Sequence, residues 1–147
     1  MCIYEYELCD QFIRNPSSEP TRNFQGYGML TELKVGSKVA DLVFFDTGLK
    51  EIIAVELKVN KWKSALHQAM TYQLWATESY AALSRKYVNG ALKNRRIFKK
   101  CGVGIISIDG FTKIELKAKK SSYQNLQYLE MAKTEINRRL AAGDKDQ

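Results

Sequence analysis

Polar and apolar positions along the chain change period several times, and each change marks the boundary of a predicted element. Residues 3–14 (IYEYELCDQFIR) set Tyr4, Leu8 and Phe12 at i, i+4 and i+8, one face of a short helix. Residues 15–23 (NPSSEPTRN) hold both prolines and predict a loop. Three β-rich runs follow, 27–35 (YGMLTELKV), 38–45 (KVADLVFF) and 51–59 (EIIAVELKV), separated by the turn signals Gly36-Ser37 and Asp46-Thr47-Gly48. The front half of the third run is apolar on both faces, as expected of a central strand covered on both sides. Over 61–77 the period lengthens to that of a helix, with Trp62, Leu66, Ala69, Gln73 and Ala76 in one stripe. Residues 78–83 predict a fourth strand, 84–99 a helix weakened by Gly90, and 102–108 (GVGIISI) a fifth strand. Asp109-Gly110 then turns into an edge strand, FTKIELKA. Residues 122–141 predict a last helix with Leu126, Leu129, Ile136 and Leu140 inward, and a tail that frays from about 143. The expected fold is a single α/β domain over 1–147. Its central mixed sheet of about five strands is flanked by helices, in the order αβββαβαββα.

Composition narrows the chemistry. The 147 residues are 45% apolar and 27% charged, ordinary for a globular chain. No run approaches 18 apolar residues, and the opening MCIYEYELCDQ lacks a basic stretch, so neither a membrane span nor a signal peptide is expected and a cytoplasmic location is the default. Three cysteines without a CxxC spacing suggest neither a disulfide framework nor zinc, and are expected as buried small hydrophobes. The lone histidine, His67, excludes zinc hydrolases that need several His ligands. An enzyme built here works with carboxylates, lysine and an oxygen-bound metal. The net charge is +7, and the segment 85–100 carries seven basic residues and no acid, as many charges as the whole excess. That block (Arg85, Lys86, Lys93, Arg95, Arg96, Lys99, Lys100) reads either as a solvated helix face or as a surface for a polyanion, most simply nucleic acid. Lys61 and Lys63 add to the second reading.

Glu-Leu-Lys occurs three times, at 32–34, 56–58 and 115–117. Alternation puts Glu and Lys on one face of any exposed strand, so the triplet alone says little. Glu115–Lys117 sits among Thr112, Lys113, Lys119 and Lys120 and reads as a solvated edge. Glu56–Lys58 instead ends the apolar run Ile52-Ile53-Ala54-Val55, where an unpaired charge costs several kcal/mol. On the neighbouring strand Asp41 interrupts VADLVFF, and a hairpin centred near Gly48 brings Asp41 beside Glu56. Two carboxylates meeting at a buried strand end require pairing, neutralisation or a cation, and all-oxygen ligation suits Mg²⁺ or Mn²⁺. A lysine on the same face then serves to hold an attacking water or offset charge on a phosphate. A structural ion-pair cluster is the other reading of the same three residues. Trp62 and Trp75 are expected to pack rather than stack on bases.

At these residues the sequence resembles the PD-(D/E)XK, or restriction-endonuclease-like, nuclease superfamily. An Asp ending one strand, a Glu-x-Lys on the next and a helix packed on the sheet match Asp41, Glu56, Lys58 and the helix carrying Gln68-x-x-x-Tyr72. The resemblance covers residues 28–83. It implies an αβββαβ core and metal-dependent cleavage of nucleic acid, DNA before RNA. Asp41, Glu56 and the Leu57 carbonyl are implied as metal ligands, with Lys58 and Gln68 in catalysis. Tyr72 is a secondary candidate, as is an upstream acid, Glu32 in preference to Glu7. The sequence has Ala40-Asp41 where the pattern often has Pro-Asp. An inactive member, acting as a nucleic-acid-binding or regulatory subunit, is the alternative. The small size leaves room for a homodimer or a larger complex.

Overall fold

The computed structural model describes residues 5–14 and 24–143. The predicted loop at 15–23, Tyr4 and most of the expected frayed tail lie outside them. A mixed sheet of six strands runs in sequence order: β1 (Gly28–Val35), β2 (Lys38–Phe45), β3 (Ile52–Lys58), β4 (Glu78–Ser84), β5 (Gly104–Ile108) and β6 (Thr112–Leu116). The predicted edge strand is thus a full member. β1–β2, β2–β3 and β5–β6 pair antiparallel, while β3–β4 and β4–β5 pair parallel. Parallel neighbours need a crossover, and the helices between them supply it: α2 (Trp62–Tyr72) between β3 and β4, then α3 (Asn89–Lys93) and α4 (Arg95–Cys101) between β4 and β5. The remaining helices among the described residues are α1 (Glu5–Arg14) and α5 (Leu126–Ala141).

Helices cover both faces, and side-chain alternation sorts the strands between them. Val55 and Leu57 of β3 face one way, into a core with Leu8 and Phe12 of α1, Tyr80 and Ile106. Ile52 and Ala54 face the other way, with Tyr72, Trp75 and the buried Ala132 and Ile136 of α5. A third cluster packs α2 and α4 on β4 and β5 through Leu66, Phe98, Leu83 and Ile105. β3 is buried from Ile52 to Leu57, as its two-sided apolar run predicts.

Several elements differ from expectation for local reasons. α2 ends at Tyr72 and the chain turns over 73–75, letting Trp75 drop beneath it. The basic segment is two helices with a break at Asn94. Gly90 lies so close to Trp62 that a Cβ there would fall 2.8 Å from the indole, and Trp62 also packs on Phe98 at 5.9 Å between ring centroids. Both tryptophans therefore pack. In the β2–β3 turn the left-handed residue is Leu49 (φ 54°) rather than Gly48. Leu49 accepts that backbone because its side chain is buried beside Phe45 and Ile52. Leu126 is not inward but 75% exposed, since Asn125 caps α5 beyond the sheet, accepting from the amides of Gln127 and Tyr128. Cys9 and Cys101 are half-buried rather than fully buried.

Gly104 has a packing reason to be glycine. A Cβ there would enter the Tyr80 ring and lie 2.7 Å from the Leu116 carbonyl oxygen. Because one obstacle is backbone, the neighbours cannot simply swing away. Gly104→Ala is expected to lower unfolding free energy by about 2–3 kcal/mol or more, read from chemical denaturation. A variant as stable as the parent would disprove the close approach.

Candidate active site

The β2–β3 ladder runs Phe45↔Ile52, Phe44↔Ile53, Val43↔Ala54, Leu42↔Val55 and stops. One more step would set Asp41 opposite Glu56, as the hairpin count predicts. Instead the strands part there, and side chains fill the split. Asp41 Oδ2 accepts from the Leu57 amide at 2.8 Å, standing in for the missing ladder partner. The pairing of β1 with β2 also skips one position, between Thr31↔Leu42 and Leu33↔Ala40, which is where Glu32 would face Asp41. Glu32 has φ 52°, a left-handed backbone for a non-glycine residue. Leu30 and Leu33 on β1, and Ala40 and Val43 on β2, consequently share the α5 face. Both strands rotate about the same pair of acids. Arg139 Nη1 of α5 holds the kink, donating to the carbonyls of Thr31 (2.8 Å) and Glu32 (3.1 Å). The clamp uses backbone only, so relieving the φ strain should not disturb it. Glu32→Gly is expected to leave stability unchanged or raise it by up to about 1 kcal/mol; a loss of more than that in a denaturant titration would mean the carboxylate itself is a support.

Glu56 lies on the α2–α5 face of β3 and is 5% exposed. Tyr72, one helical turn after Gln68, reaches across from α2. Its hydroxyl contacts Glu56 Oε1 very closely and lies 3.0 Å from the Val39 carbonyl oxygen, which the parting strands leave accessible. A phenol has one hydrogen to donate. That hydrogen is shared between the Glu56 oxygen and the Val39 carbonyl, both of which accept, so a proton carried by Glu56 faces Asp41 instead. Burial pushes the Glu56 carboxyl from its ordinary 4.5 up to about 7; the hydrogen bond from Tyr72 and the Lys58 charge oppose the rise, and the Asp41 charge and a hydrogen bond to Asp41 add to it. Tyr72 is raised too, by burial first and then by Glu56. Lys58 follows on the same face, its Nζ 3.7 Å from Glu56 Oε2 and its side chain 23% exposed, so the amine stands between the buried Glu56 and solvent.

The structure therefore brings together Asp41, Glu56, Lys58 and Tyr72. Gln68 is half-buried on α2, and its side chain makes no hydrogen bond to the others; its backbone carbonyl accepts from Thr71 Oγ1 at 2.6 Å. Glu7 sits on α1, which packs on the opposite face of the sheet. Among the described residues no three His, Cys, Asp or Glu side chains cluster for a metal, so neither Glu32 nor Glu7 completes an acidic trio. His67 is exposed on α2.

Lys58 pairs with Leu83, so the ends of β3 and β4 emerge side by side. Lys61 and Lys63 follow one end, Arg85 and Lys86 the other, and all four are exposed on the edge that carries Lys58. Lys93, Arg95, Arg96, Lys99 and Lys100 are exposed along α3 and α4, though Arg95 Nε folds back to the Leu92 carbonyl at 3.3 Å.

Sequence reasoning missed two features. The Arg139 clamp has no local signal, because it joins residues more than a hundred positions apart. The second is a charged group at the far end of the sheet, where Glu78 is buried. Lys117 Nζ donates to Glu78 Oε1 at 2.9 Å and Tyr80 Oη donates to the same oxygen at 3.2 Å. Lys117 belongs to the triplet expected to be solvated, and its partner Glu115 accepts from Ser107 Oγ at 2.7 Å. Lys117 is exposed, as the solvated-edge reading expects, and the triplet adds a pairing role to that.

No family model and no curated protein matches the chain. Among solved structures it is similar to the SPO1766 protein of unknown function from Silicibacter pomeroyi, with a TM-score of 0.67 and 12% identity over 97% of this chain and 90% of that one. Pyrococcus furiosus SfsA, solved in complex with Ca²⁺, aligns with a TM-score of 0.39 and 10% identity over 69% of this chain and 58% of that one. The first shows a shared α/β fold. No helix among the described residues is long and apolar enough to cross a membrane.

Proposed function

We propose that the chain is a nuclease of the PD-(D/E)XK type, hydrolysing phosphodiester bonds in nucleic acid, DNA before RNA, with the help of Mg²⁺ or Mn²⁺. The observation that carries the reading is the pair of acids at the β2–β3 split: two carboxyl groups in contact, one nearly buried, with an amine at the solvent side. The donor set fits a hard divalent cation. It is all oxygen, and it is over-acidic for its burial, which is why Glu56 holds a proton near neutrality. Asp41, Glu56 and the Leu57 carbonyl would hold the ion, which when bound offsets negative charge developing on the phosphoryl oxygens.

The chain's own residues supply the rest. Asp41 is oriented by the Leu57 amide. Tyr72 fixes the rotamer of Glu56 from behind. Lys58, anchored by Glu56 and open to solvent, holds the attacking water and stabilises the phosphorane charge with its ammonium. Lys61, Lys63, Arg85 and Lys86 ring the same edge and draw in a phosphate backbone. The test is a panel of labelled duplex, single-stranded, branched and RNA substrates, with and without Mg²⁺, beside a Lys58→Ala control. Metal-dependent cleavage lost in the control is expected; equal cleavage by parent and control would remove the reading.

The convergence of only two acidic side chains favours a second reading, an inactive nuclease fold that binds nucleic acid. It predicts no heat of Mg²⁺ binding and no melting shift with metal.

A further inference from the structure

We propose that the cleft between α1 and the ends of β4 and β5 receives one unstacked nucleotide of a single-stranded nucleic acid. The inference rests on the nucleic-acid reading above and narrows its substrate to strands with an unpaired segment. The cleft measures about 420 Å³ and is lined by Gln11, Ser84, Arg85, Lys86, Tyr87 and Asp109 among others. That volume falls in the range of small-ligand sites, roughly 300–1,000 Å³.

Its walls are built by the backbone. The Arg85 amide donates to the Ile108 carbonyl at 2.9 Å and the Tyr87 amide to the Ser84 carbonyl at 2.9 Å, so Arg85, Lys86 and Tyr87 are presented in succession on a fixed turn. Across the gap, Gln11 Oε1 accepts from the Gly110 amide at 2.9 Å and ties α1 to the β5–β6 turn beside Asp109. Tyr87 is 39% exposed, and Lys86 Nζ stands 5.5 Å from its ring centroid.

Each group suits a different part of a nucleotide. The Tyr87 ring offers a stacking face, which every base can use but only when out of its own stack. Arg85 and Lys86 match the phosphate. The Asp109 carboxylate and the Gln11 amide suit the amino and carbonyl groups of a base edge, and an acid here disfavours a site for bare phosphate. Position supports the assignment. Arg85 lies two residues beyond Leu83, the partner of Lys58, so the cleft opens at the same end of the sheet as the candidate site, on the α1 face rather than the α2–α5 face. A flexible single strand that rounds this end of the sheet can reach Lys58 and Tyr87 in turn, where a stiff duplex cannot follow.

The test is equilibrium binding in EDTA, by anisotropy, of a labelled mixed-sequence single strand and a labelled blunt hairpin duplex. Binding without metal does not depend on hydrolysis. The parent is expected to prefer the single strand. Tyr87→Ala is expected to weaken single-strand binding about 5- to 100-fold with duplex binding unchanged, and Tyr87→Phe to restore it. Single-strand binding by Tyr87→Ala equal to the parent's would overturn the proposal, as would an equal loss in Tyr87→Ala and Tyr87→Phe, or no binding by the parent. A chain that cleaves with metal but ignores Tyr87→Ala keeps the nuclease reading and loses this one; a chain that binds through Tyr87 but never cleaves does the reverse.

Discussion

Lys58→Ala and Asp41→Asn are each expected to cut Mg²⁺-dependent cleavage by about a thousand-fold or more while leaving the melting temperature within a few degrees of the parent. The magnitude follows from what each removes. A positioned charge next to the reacting phosphate contributes on the order of 10²–10³ in rate, and proton handling at the attacking water contributes about 10²–10⁴. The folding side is mild for reasons visible in the geometry. Lys58 is partly solvated and its ion pair is long at 3.7 Å, so its removal forfeits little stability. Asn at 41 keeps an oxygen to accept from the Leu57 amide and loses only the charge. Two measurements on the same preparations decide the matter: cleavage rate at saturating substrate, and thermal unfolding. Activity of either variant within ten-fold of the parent would end the hydrolytic account. Loss of activity together with a large melting shift would mean the substitution had broken the split itself.

The central strand and its charges were legible because the apolar run of β3 is long enough to fix its burial before Glu56 interrupts it. Once burial is fixed, a carboxylate at the end must find a partner, and hairpin counting names Asp41. The observed ladder keeps that count. What the pattern does not carry is non-local. Glu32 reads as one more exposed strand residue, yet its left-handed backbone and the Arg139 clamp depend on where α5 docks. Gln68 and Tyr72 share a helix face, so spacing cannot rank them; reach does, since only the tyrosine hydroxyl spans from α2 to both Glu56 and Val39. Leu126 satisfies the helical stripe, but the stripe does not reveal that the sheet stops short of the first turn of α5. Lys117 is solvated, as an edge strand predicts, but the pattern does not show that Glu78, buried on β4 near the same end of the sheet, is its partner.

The acids at the split also set a pH signature in the metal-free protein. Glu56 holds its proton to about 7 when folded, against an ordinary 4.5. Between those values the folded chain binds a proton that the unfolded chain has released, so this group's contribution to stability is fully present below about 4.5 and is lost as pH rises through about 7. After allowance for solvent reaching the site past Lys58, the loss amounts to about 2 kcal/mol. Glu56→Gln removes the ionisation yet keeps a carbonyl facing Tyr72 and an amide that can donate to Asp41. In EDTA, the variant is therefore expected to match the parent near pH 4.5 and to exceed it by about 2 kcal/mol at pH 8, the difference between the two cancelling every other titrating group. Added Mg²⁺ is expected to raise the parent's stability at pH 8 and to leave Glu56→Gln almost unmoved, because only an ionised Glu56 rewards the cation. Parallel stability curves for the two proteins from pH 4.5 to 8 would show that Glu56 is not held protonated by its surroundings. A side chain whose replacement stabilises the fold while abolishing the metal response is one retained for chemistry, and that combination separates a working site from an ion pair kept for structure.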